Sequence, residues 1–169
     1  AGAKKVFPNS VSEMDMLQEL MSISYKIKLA DTHSGSKVTV VMSPKGGSGC
    51  TSVVAALGEI SSSGGKPTLL WDLDTRSLDL TRALSLYHKR NDNLRSLLAN
   101  EIESNRKNFE KCLIKVDSNT YLVSSELNTY WNTKFLHDPS SRLFITRCLD
   151  LARYSFSNII IDLGTLSGY

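Results

Sequence analysis

The feature that most constrains this chain is a short glycine-rich segment, KGGSGCT, at residues 45–51. It follows an apolar run typical of a buried strand, residues 38–43, and precedes a run with helical spacing. A strand, a glycine turn and a helix start in this order indicate a phosphate-binding loop, because glycines let main-chain N–H groups approach a phosphate closely. The usual loop lysine is replaced by Cys50, and a lysine stands at the front of the loop as Lys45. The segment therefore predicts a phosphate site of altered chemistry.

Composition narrows the class of protein. The chain has 169 residues, 41% of them hydrophobic, which suffices for one core and favours a single main domain. Its formal charge of +3 comes from interspersed acids and bases, so nucleic acid is not an expected partner. Three cysteines without a close pair suggest neither disulfides nor a zinc site and favour a reducing, cytoplasmic setting. No apolar run is long enough for a transmembrane segment.

The first part of the chain has a pattern of its own. Residues 12–29 place apolar side chains at helical spacing, among them Met16, Leu20 and Ile27. We interpret residues 1–36 as an amphipathic helix and linker, which either packs on the domain's own core or leads from an upstream domain; a membrane-surface helix is a third interpretation. Residues 37–169 are the predicted main domain.

Strands and helices alternate through that main domain. Apolar runs typical of strands occupy residues 38–43, 67–71, 121–123 and 159–162, with residues 112–116 as an additional hairpin arm; helical spacing occupies residues 51–60, 78–86, 93–99 and 140–153. Strands that alternate with helices predict a doubly wound, mostly parallel sheet of the α/β class.

Three carboxylates are expected at one edge of this sheet. Asp72 and Asp74 end the second strand and Asp162 ends the last, and ligands bind at the carboxyl ends of parallel strands. Thr51 occupies the position whose hydroxyl usually coordinates magnesium, and Asp162 is placed to support that metal from behind. Asp72 and Asp74 would orient an attacking water or the hydrated metal.

These motifs resemble the ParA/MinD superfamily of P-loop ATPases. The loop at residues 45–51 is similar to the deviant Walker A motif of that superfamily, whose mark is the extra lysine at its start. Residues 71–80 resemble its second acidic motif, and residues 159–163 resemble its Walker B strand. A small residue such as Cys50 in place of the second lysine is most like the CpaE/TadZ branch, which localises Tad pilus and secretion machinery.

The resemblance implies roles for individual residues. It implies an ATP-binding homodimer in which Lys45 reaches the partner's nucleotide and Asp74 orients water, so these two are the catalytic candidates. It implies Mg²⁺ held by Thr51 with Asp162 behind it. The expected nucleotide contacts are Lys45, Gly46, Gly47, Ser48, Gly49, Cys50, Thr51, Ser52 and Asp72. The superfamily continues with further strands beyond the point corresponding to Tyr169, so we expect the ATPase domain to lack its C-terminal part. The branch also usually carries a receiver-like domain upstream of its ATPase domain.

Cys50 decides between the functional hypotheses. A hydrogen bond to a charged group contributes about 1.5–3 kcal/mol, so loss of the lysine should weaken ATP binding by roughly ten- to a hundredfold unless Lys45 of a second subunit replaces it. Slow or absent hydrolysis is expected, because phosphoryl transfer needs fixed positive charge. Cys50 itself is interpreted as a small residue that fits the loop or, alternatively, as a reactive thiol at a helix start.

The resulting hypothesis is an atypical ATP-binding factor that localises or assembles a Tad-type pilus or secretion system. Its expected partners are a second copy and components of that machinery, and its expected location is the bacterial cytoplasm, with recruitment to a cell pole or an inner-membrane complex. The alternative is an active partition-type ATPase that binds DNA as an ATP-dependent dimer. A bacterial tyrosine kinase of related fold is the weakest hypothesis, because Tyr169 alone does not make a tyrosine-rich tail.

Overall fold

A computed structural model describes residues 12, 14, 35–74, 77–86, 91–98, 102–124 and 139–165. The chain divides into two units, Ala1–Gly35 and Ser36–Tyr169. The second unit contains a sheet covered by helices. The helix predicted over residues 12–29 lies outside the described residues except at Ser12 and Met14. The division of the chain into an N-terminal segment and a main domain therefore stays a prediction.

The centre of the second unit is a sheet to which the described residues contribute five strands. These strands are β1 (Lys37–Ser43), β2 (Thr68–Asp72), β3 (Ile114–Lys115), β4 (Thr120–Ser124) and β5 (Asn158–Thr165), and their order across the sheet is β1-β5-β2-β4-β3. All neighbouring pairs are parallel except β3 with β4, which are antiparallel. The three strands that carry the predicted site, β1, β5 and β2, are therefore adjacent, and their carboxyl ends lie at one edge of the sheet.

Five helices among the described residues cover the two faces of this sheet. They are α1 (Cys50–Ser62), α2 (Asp79–Ala83), α3 (Asp92–Leu98), α4 (Arg106–Glu110) and α5 (Pro139–Arg153). One face packs against α1 and α2 through a cluster of buried side chains: Val54, Leu70, Leu80, Leu122 and Ile160. The other face packs against α3, α4 and α5 through a larger cluster that includes Leu69, Trp71, Leu97, Phe109, Val123, Cys148, Ile159 and Ile161. Residues that alternate along β2 and β5 thus enter opposite cores, as a sheet covered on both faces requires.

The predicted fold class, a doubly wound and mostly parallel α/β sheet, is confirmed. The hairpin arm expected at residues 112–116 is β3, and β5 continues three residues beyond Asp162. Helix α4 was not predicted, because it has only five residues and depends on a local cap. The Asn105 side chain accepts a hydrogen bond from the Asn108 N–H at 2.9 Å, which starts that helix without an apolar repeat. Within the described part of the chain, no helix combines the length and apolar character needed to cross a bilayer.

Candidate nucleotide-binding site

The glycine loop joins the end of β1 to the start of α1. Gly47 and Gly49 have φ angles of 75° and 84°, in the left-handed region that glycine adopts without a steric penalty. Gly49 precedes the first residue of α1, and its carbonyl accepts the first hydrogen bond of that helix from the Val53 N–H at 3.0 Å. The loop therefore turns directly into a 13-residue helix whose free N–H groups and dipole favour an anion.

The front of the loop is fixed by Ser43 and leaves Lys45 outside. The buried Ser43 hydroxyl donates to the Lys45 carbonyl at 2.8 Å, and the Lys45 N–H donates back to Ser43 Oγ at 3.1 Å. These two bonds hold the backbone of Lys45, while the residue itself is exposed. Lys45 is not among the described residues that line the loop's own cavity.

Thr51, in the first turn of α1, is bonded to the end of β5. Its hydroxyl donates to Asp162 Oδ2 at 2.9 Å, and the other oxygen of the same carboxylate, Oδ1, accepts the Gly164 N–H at 2.8 Å. Asp162 is fully buried, so these bonds compensate the burial of its two oxygens. Because the Thr51 proton is given to Asp162, the oxygen lone pairs of Thr51 are left for a ligand.

Asp74 follows β2 and faces the same cavity from another side. Ser77 Oγ donates to Asp74 Oδ2 at 2.7 Å, and the Leu78 N–H donates to the Asp74 carbonyl at 2.9 Å, which closes a turn in front of α2. Leu78 has a φ of 49°, a left-handed conformation that is rare for leucine, and the turn it makes brings Asp79 to the cavity. Asp74 and Asp79 therefore both line the space in front of the loop.

The cavity has a volume of about 250 Å³ and joins the loop to these acids. The described residues that line it are Gly47, Ser48, Gly49, Cys50, Thr51, Asp74, Asp79, Gly164 and Thr165. Two of them are acidic, and none of these lining residues is basic. Cys50 Sγ lies 3.7 Å from Ser48 Oγ, so two small side chains stand together where the usual loop has a lysine. An anion in this cavity would meet main-chain N–H groups but no resident positive side chain.

Asp72 has different surroundings from the other two acids. It is fully buried, and its Oδ2 accepts both the N–H and the hydroxyl of Thr81 in α2, at 2.9 and 2.6 Å. The Thr81 oxygen lies 2.6 Å from the Ser124 hydroxyl at the end of β4, while Asp72 Oδ1 has no hydrogen-bond partner among the described residues. Burial raises the pKa of Asp72 to about 6, the Thr81 hydrogen bonds oppose that rise, and the charges of Asp162 and Asp74 add to it. Asp72 thus ties α2 to the sheet.

The residues present fit a magnesium nucleotide. The loop supplies N–H groups for phosphate oxygens, and Gly47 and Gly49 leave open space where side chains would stand. The Thr51 hydroxyl and the carboxylates behind and beside it are the hard oxygen donors that Mg²⁺ prefers. No group of three or more His, Cys, Asp or Glu side chains suited to a metal occurs in the described residues, so a magnesium ion here would depend on phosphate oxygens and water as well.

The structure brings together most of the predicted site residues. Gly47, Ser48, Gly49, Cys50, Thr51 and Asp74 line one cavity, and Asp162 lies one hydrogen bond behind it. Lys45, Gly46, Ser52 and Asp72 are outside the lining, and their assigned roles stay predictions. Sequence reasoning did not single out Asp79, Gly164 or Thr165 as lining residues. The signal for Gly164 was a glycine inside a strand, which often marks a close approach of another group.

Comparison with known proteins places this geometry in a family. Residues 36–167 match the AAA_31 model, described as an AAA domain. The chain belongs to the AAA_31 family. No curated protein matches it.

Solved structures show the same fold as this AAA_31 domain. A plasmid partition protein from Borrelia burgdorferi superposes with a TM-score of 0.58 at 22% identity over 76% of this chain and 56% of its own. Cobyrinic acid a,c-diamide synthase from Mycobacterium smegmatis, solved with an ATP analog and magnesium, gives 0.59 at 23% identity, with 76% and 51% covered. A McdA variant from Cyanothece in complex with ATP gives 0.63 at 22% identity, with 78% and 49% covered. The expected likeness to ParA/MinD-type ATPases is thus confirmed at the level of fold, and the chain spans about half the length of these structures.

Proposed function

We propose that this AAA_31 domain binds ATP with Mg²⁺ as a homodimer and acts as a localisation or assembly factor for a Tad-type pilus or secretion system, with slow or absent hydrolysis. The observation that carries the proposal is the composition of the cavity. It combines a phosphate-binding loop and a threonine suited to magnesium with Cys50 in the lysine position and with two acids, Asp74 and Asp79. Such a site can hold a triphosphate, but among its described lining residues it has no cation of its own to support transfer of the terminal phosphate.

Each group has a specific task in this proposal. The N–H groups of the loop bind the phosphates, and Thr51 is the protein's ligand to Mg²⁺, with Asp162 accepting its hydroxyl proton. Asp74 orients water near the terminal phosphate. Lys45 is the exposed cation, which in a dimer would contact the partner's nucleotide. The magnesium ion neutralises phosphate charge that Cys50 cannot, so nucleotide affinity should depend strongly on magnesium.

The fold relatives support ATP and magnesium as ligands, because structures of this fold carry an ATP analog with magnesium or ATP itself. The pilus role is supported by Cys50, since small residues at this position are typical of the CpaE/TadZ branch. A bacterial cytoplasmic location with recruitment to a cell pole or an inner-membrane complex follows from that role.

The proposal is tested by binding and turnover of ATP in four variants. Cys50→Lys should raise ATP affinity by roughly tenfold or more and should increase hydrolysis, because it restores the missing charge. Cys50→Ser is the matched control, since it changes the side chain without adding charge. Lys45→Ala should weaken ATP binding at dimer-forming concentrations, whereas Lys66→Ala, which removes an exposed lysine before β2, should not. Brisk hydrolysis by the wild type would contradict the proposal.

A partition-type ATPase is the second candidate, favoured by the structural likeness to a plasmid partition protein and to a ParA family ATPase from Chlorobium tepidum. It predicts rapid turnover and ATP-dependent binding to duplex DNA that weakens steeply with salt. The pilus hypothesis predicts little of either, together with a polar focus of a fluorescent fusion in the native bacterium that disappears in Lys45→Ala. The two functions are therefore separated by one DNA-binding titration with and without ATP.

A further inference from the structure

We propose that Gly164 is a positioning residue that places two acids of the nucleotide site, Asp74 and Asp162, through a single backbone conformation. The inference rests on the proposed ATP site and deepens it. Gly164 lies near the end of β5, is buried, and has a φ of 64°. It lines the cavity together with the glycine loop.

The first action of Gly164 is through its N–H group. This N–H donates to Asp162 Oδ1 at 2.8 Å, while Asp162 Oδ2 accepts the Thr51 hydroxyl at 2.9 Å. The two bonds together fix the orientation of the carboxylate. Because the carboxylate accepts the Thr51 proton, its orientation also decides where the oxygen lone pairs of Thr51 point. The conformation of Gly164 is thus linked to the predicted magnesium ligand.

The second action is through the side chain that Gly164 lacks. A Cβ built on it would overlap the Asp74 carboxylate and would lie 2.8 Å from the Cβ of Asp74. The carboxylate can rotate away, but the Cβ of Asp74 is attached to the main chain and moves only with it. Any other residue at 164 must therefore shift the end of β5 or the backbone of residue 74. Asp74 is held from the other side by the Ser77 hydroxyl at 2.7 Å.

A comparison with the other glycines separates this role from that of an ordinary turn residue. Gly47, Gly49 and Gly65 also have positive φ angles, and a Cβ on any of them would meet nothing within 4 Å. Among the described glycines of this conformation, Gly164 alone combines positive φ with close approach to an acid. The dihedral angle explains why glycine is favoured there, and the close approach explains why Asp74 sits where it does.

The test compares substitutions at Gly164 and at Gly65, which lies in the turn before β2 and does not line the cavity. Gly164→Ala introduces both dihedral strain and overlap. Gly164→Asn reduces the strain, since asparagine enters the left-handed region more readily, but keeps the overlapping Cβ. Gly65→Ala and Gly65→Asn carry the same strain without the overlap. Affinity for a non-hydrolysable ATP analogue is measured for the whole protein with Mg²⁺ and with EDTA.

Both Gly164 variants should lose about tenfold or more of the affinity measured with Mg²⁺, with a smaller change in EDTA. The Gly65 variants should stay within about twofold under both conditions. A merely structural effect of strain would lower thermal stability in both pairs and leave the ratio of the two affinities unchanged. Wild-type affinity and wild-type magnesium dependence in Gly164→Asn would overturn the inference.

A second measurement tests the close approach of Gly164 to Asp74 in the absence of nucleotide. Unfolding of Gly164→Ala is compared in the wild-type, Asp74→Ala and Asp74→Gly backgrounds as double-mutant cycles. The loss caused by Gly164→Ala should shrink partly with Asp74→Ala, which keeps the Cβ, and further with Asp74→Gly, which removes it. Additive losses would overturn the inference. If the wild type binds no nucleotide under any condition, the proposed function fails, whereas these cycles still show whether Gly164 holds Asp74.

Discussion

Asp72 and Asp162 are the same residue type at the same level of adjacent strands, paired in register across β2 and β5, and both are fully buried. They differ in what faces them. Asp162 uses both oxygens, one for Thr51 beside the cavity and one for Gly164. Asp72 uses one oxygen twice, for Thr81, and leaves the other without a partner among the described residues. The position of an acid at the end of a strand thus does not determine its role; the element packed over it does.

The largest difference between Asp162 and Asp72 is expected when each acid is replaced by its amide. In Asp162→Asn, one orientation of the amide sets its NH₂ against the Gly164 N–H, and the other sets it against the Thr51 hydroxyl proton. Thr51 then accepts a hydrogen bond where it donated one, which competes with coordination of magnesium. We expect a loss of about a hundredfold in affinity for magnesium ATP, since a hydrogen bond to a charged group contributes roughly 1.5–3 kcal/mol.

Asp72→Asn is the matched control for that experiment. Its amide can place the NH₂ at the Oδ1 position, which has no partner among the described residues, and keep the carbonyl oxygen toward Thr81. Affinity for magnesium ATP should therefore change by less than about threefold, which is a small change in binding free energy. Equal losses in the two variants, measured by titration calorimetry, would show that both acids contact the ligand and that the distinction between them is wrong.

The pH dependence of the free energy of unfolding gives a second test of the surroundings of Asp72. Burial raises the pKa of Asp72 to about 6, so the folded state binds a proton more readily than the unfolded state. The contribution of this group to stability is full below its ordinary pKa of 3.8 and is lost as the pH rises through about 6. From about pH 4.5 to about pH 7.5 the loss should be about 2 kcal/mol.

Asp72→Asn should remove this slope, so the difference in free energy of unfolding between wild type and variant should change with pH in that window. Burial also raises the pKa of Asp150, to about 6, which gives both proteins a common background of the same sign. Asp150 cancels in the difference. Parallel pH profiles from denaturant unfolding would mean that Asp72 keeps its ordinary pKa in the folded protein.

The sequence was sufficient for the fold because the relevant signals were local. The apolar runs that became β1, β2, β4 and β5 are bounded by polar or glycine-rich segments, and the glycine loop joins a strand to a helix in an order that few folds share. The acids at the ends of β2 and β5 were found for the same reason. Helix α4 was missed because a single side-chain cap, and no periodic pattern, defines it.

The sequence was not sufficient to separate Asp72 from Asp74, which are two residues apart in one acidic motif. What distinguishes them is Thr81, nine residues further on, and Ser124, on another strand. The importance of Gly164 was equally hidden, since it depends on the approach of Asp74 across the site. Such contacts join residues that are distant in the chain, and no local pattern of hydrophobicity or charge encodes them.

A smaller effect is expected from the residue that distinguishes the two acids. Thr81→Val removes the hydroxyl that Asp72 Oδ2 accepts at 2.6 Å and leaves the N–H bond in place. The free energy of unfolding should fall by about 1–3 kcal/mol at neutral pH, because a buried charged acceptor loses a donor. The same loss should raise the pKa of Asp72 further, since that hydrogen bond lowers it. A fall in stability that is equal at acidic and neutral pH would argue against this coupling.

The smallest effect tests whether the network extends to β4. The Thr81 hydroxyl gives its proton to Asp72, so the Ser124 hydroxyl, 2.6 Å from the Thr81 oxygen, must be the donor in that contact. Loss of this contact in Ser124→Ala should therefore cost only about 0.5–1.5 kcal/mol, the contribution of a neutral hydrogen bond. In the Thr81→Val background the additional cost of Ser124→Ala should be smaller than in the wild type, because the Thr81 acceptor is already gone. Full additivity in this double-mutant cycle would show that Ser124 stabilises β4 independently and that Asp72 is held by α2 alone.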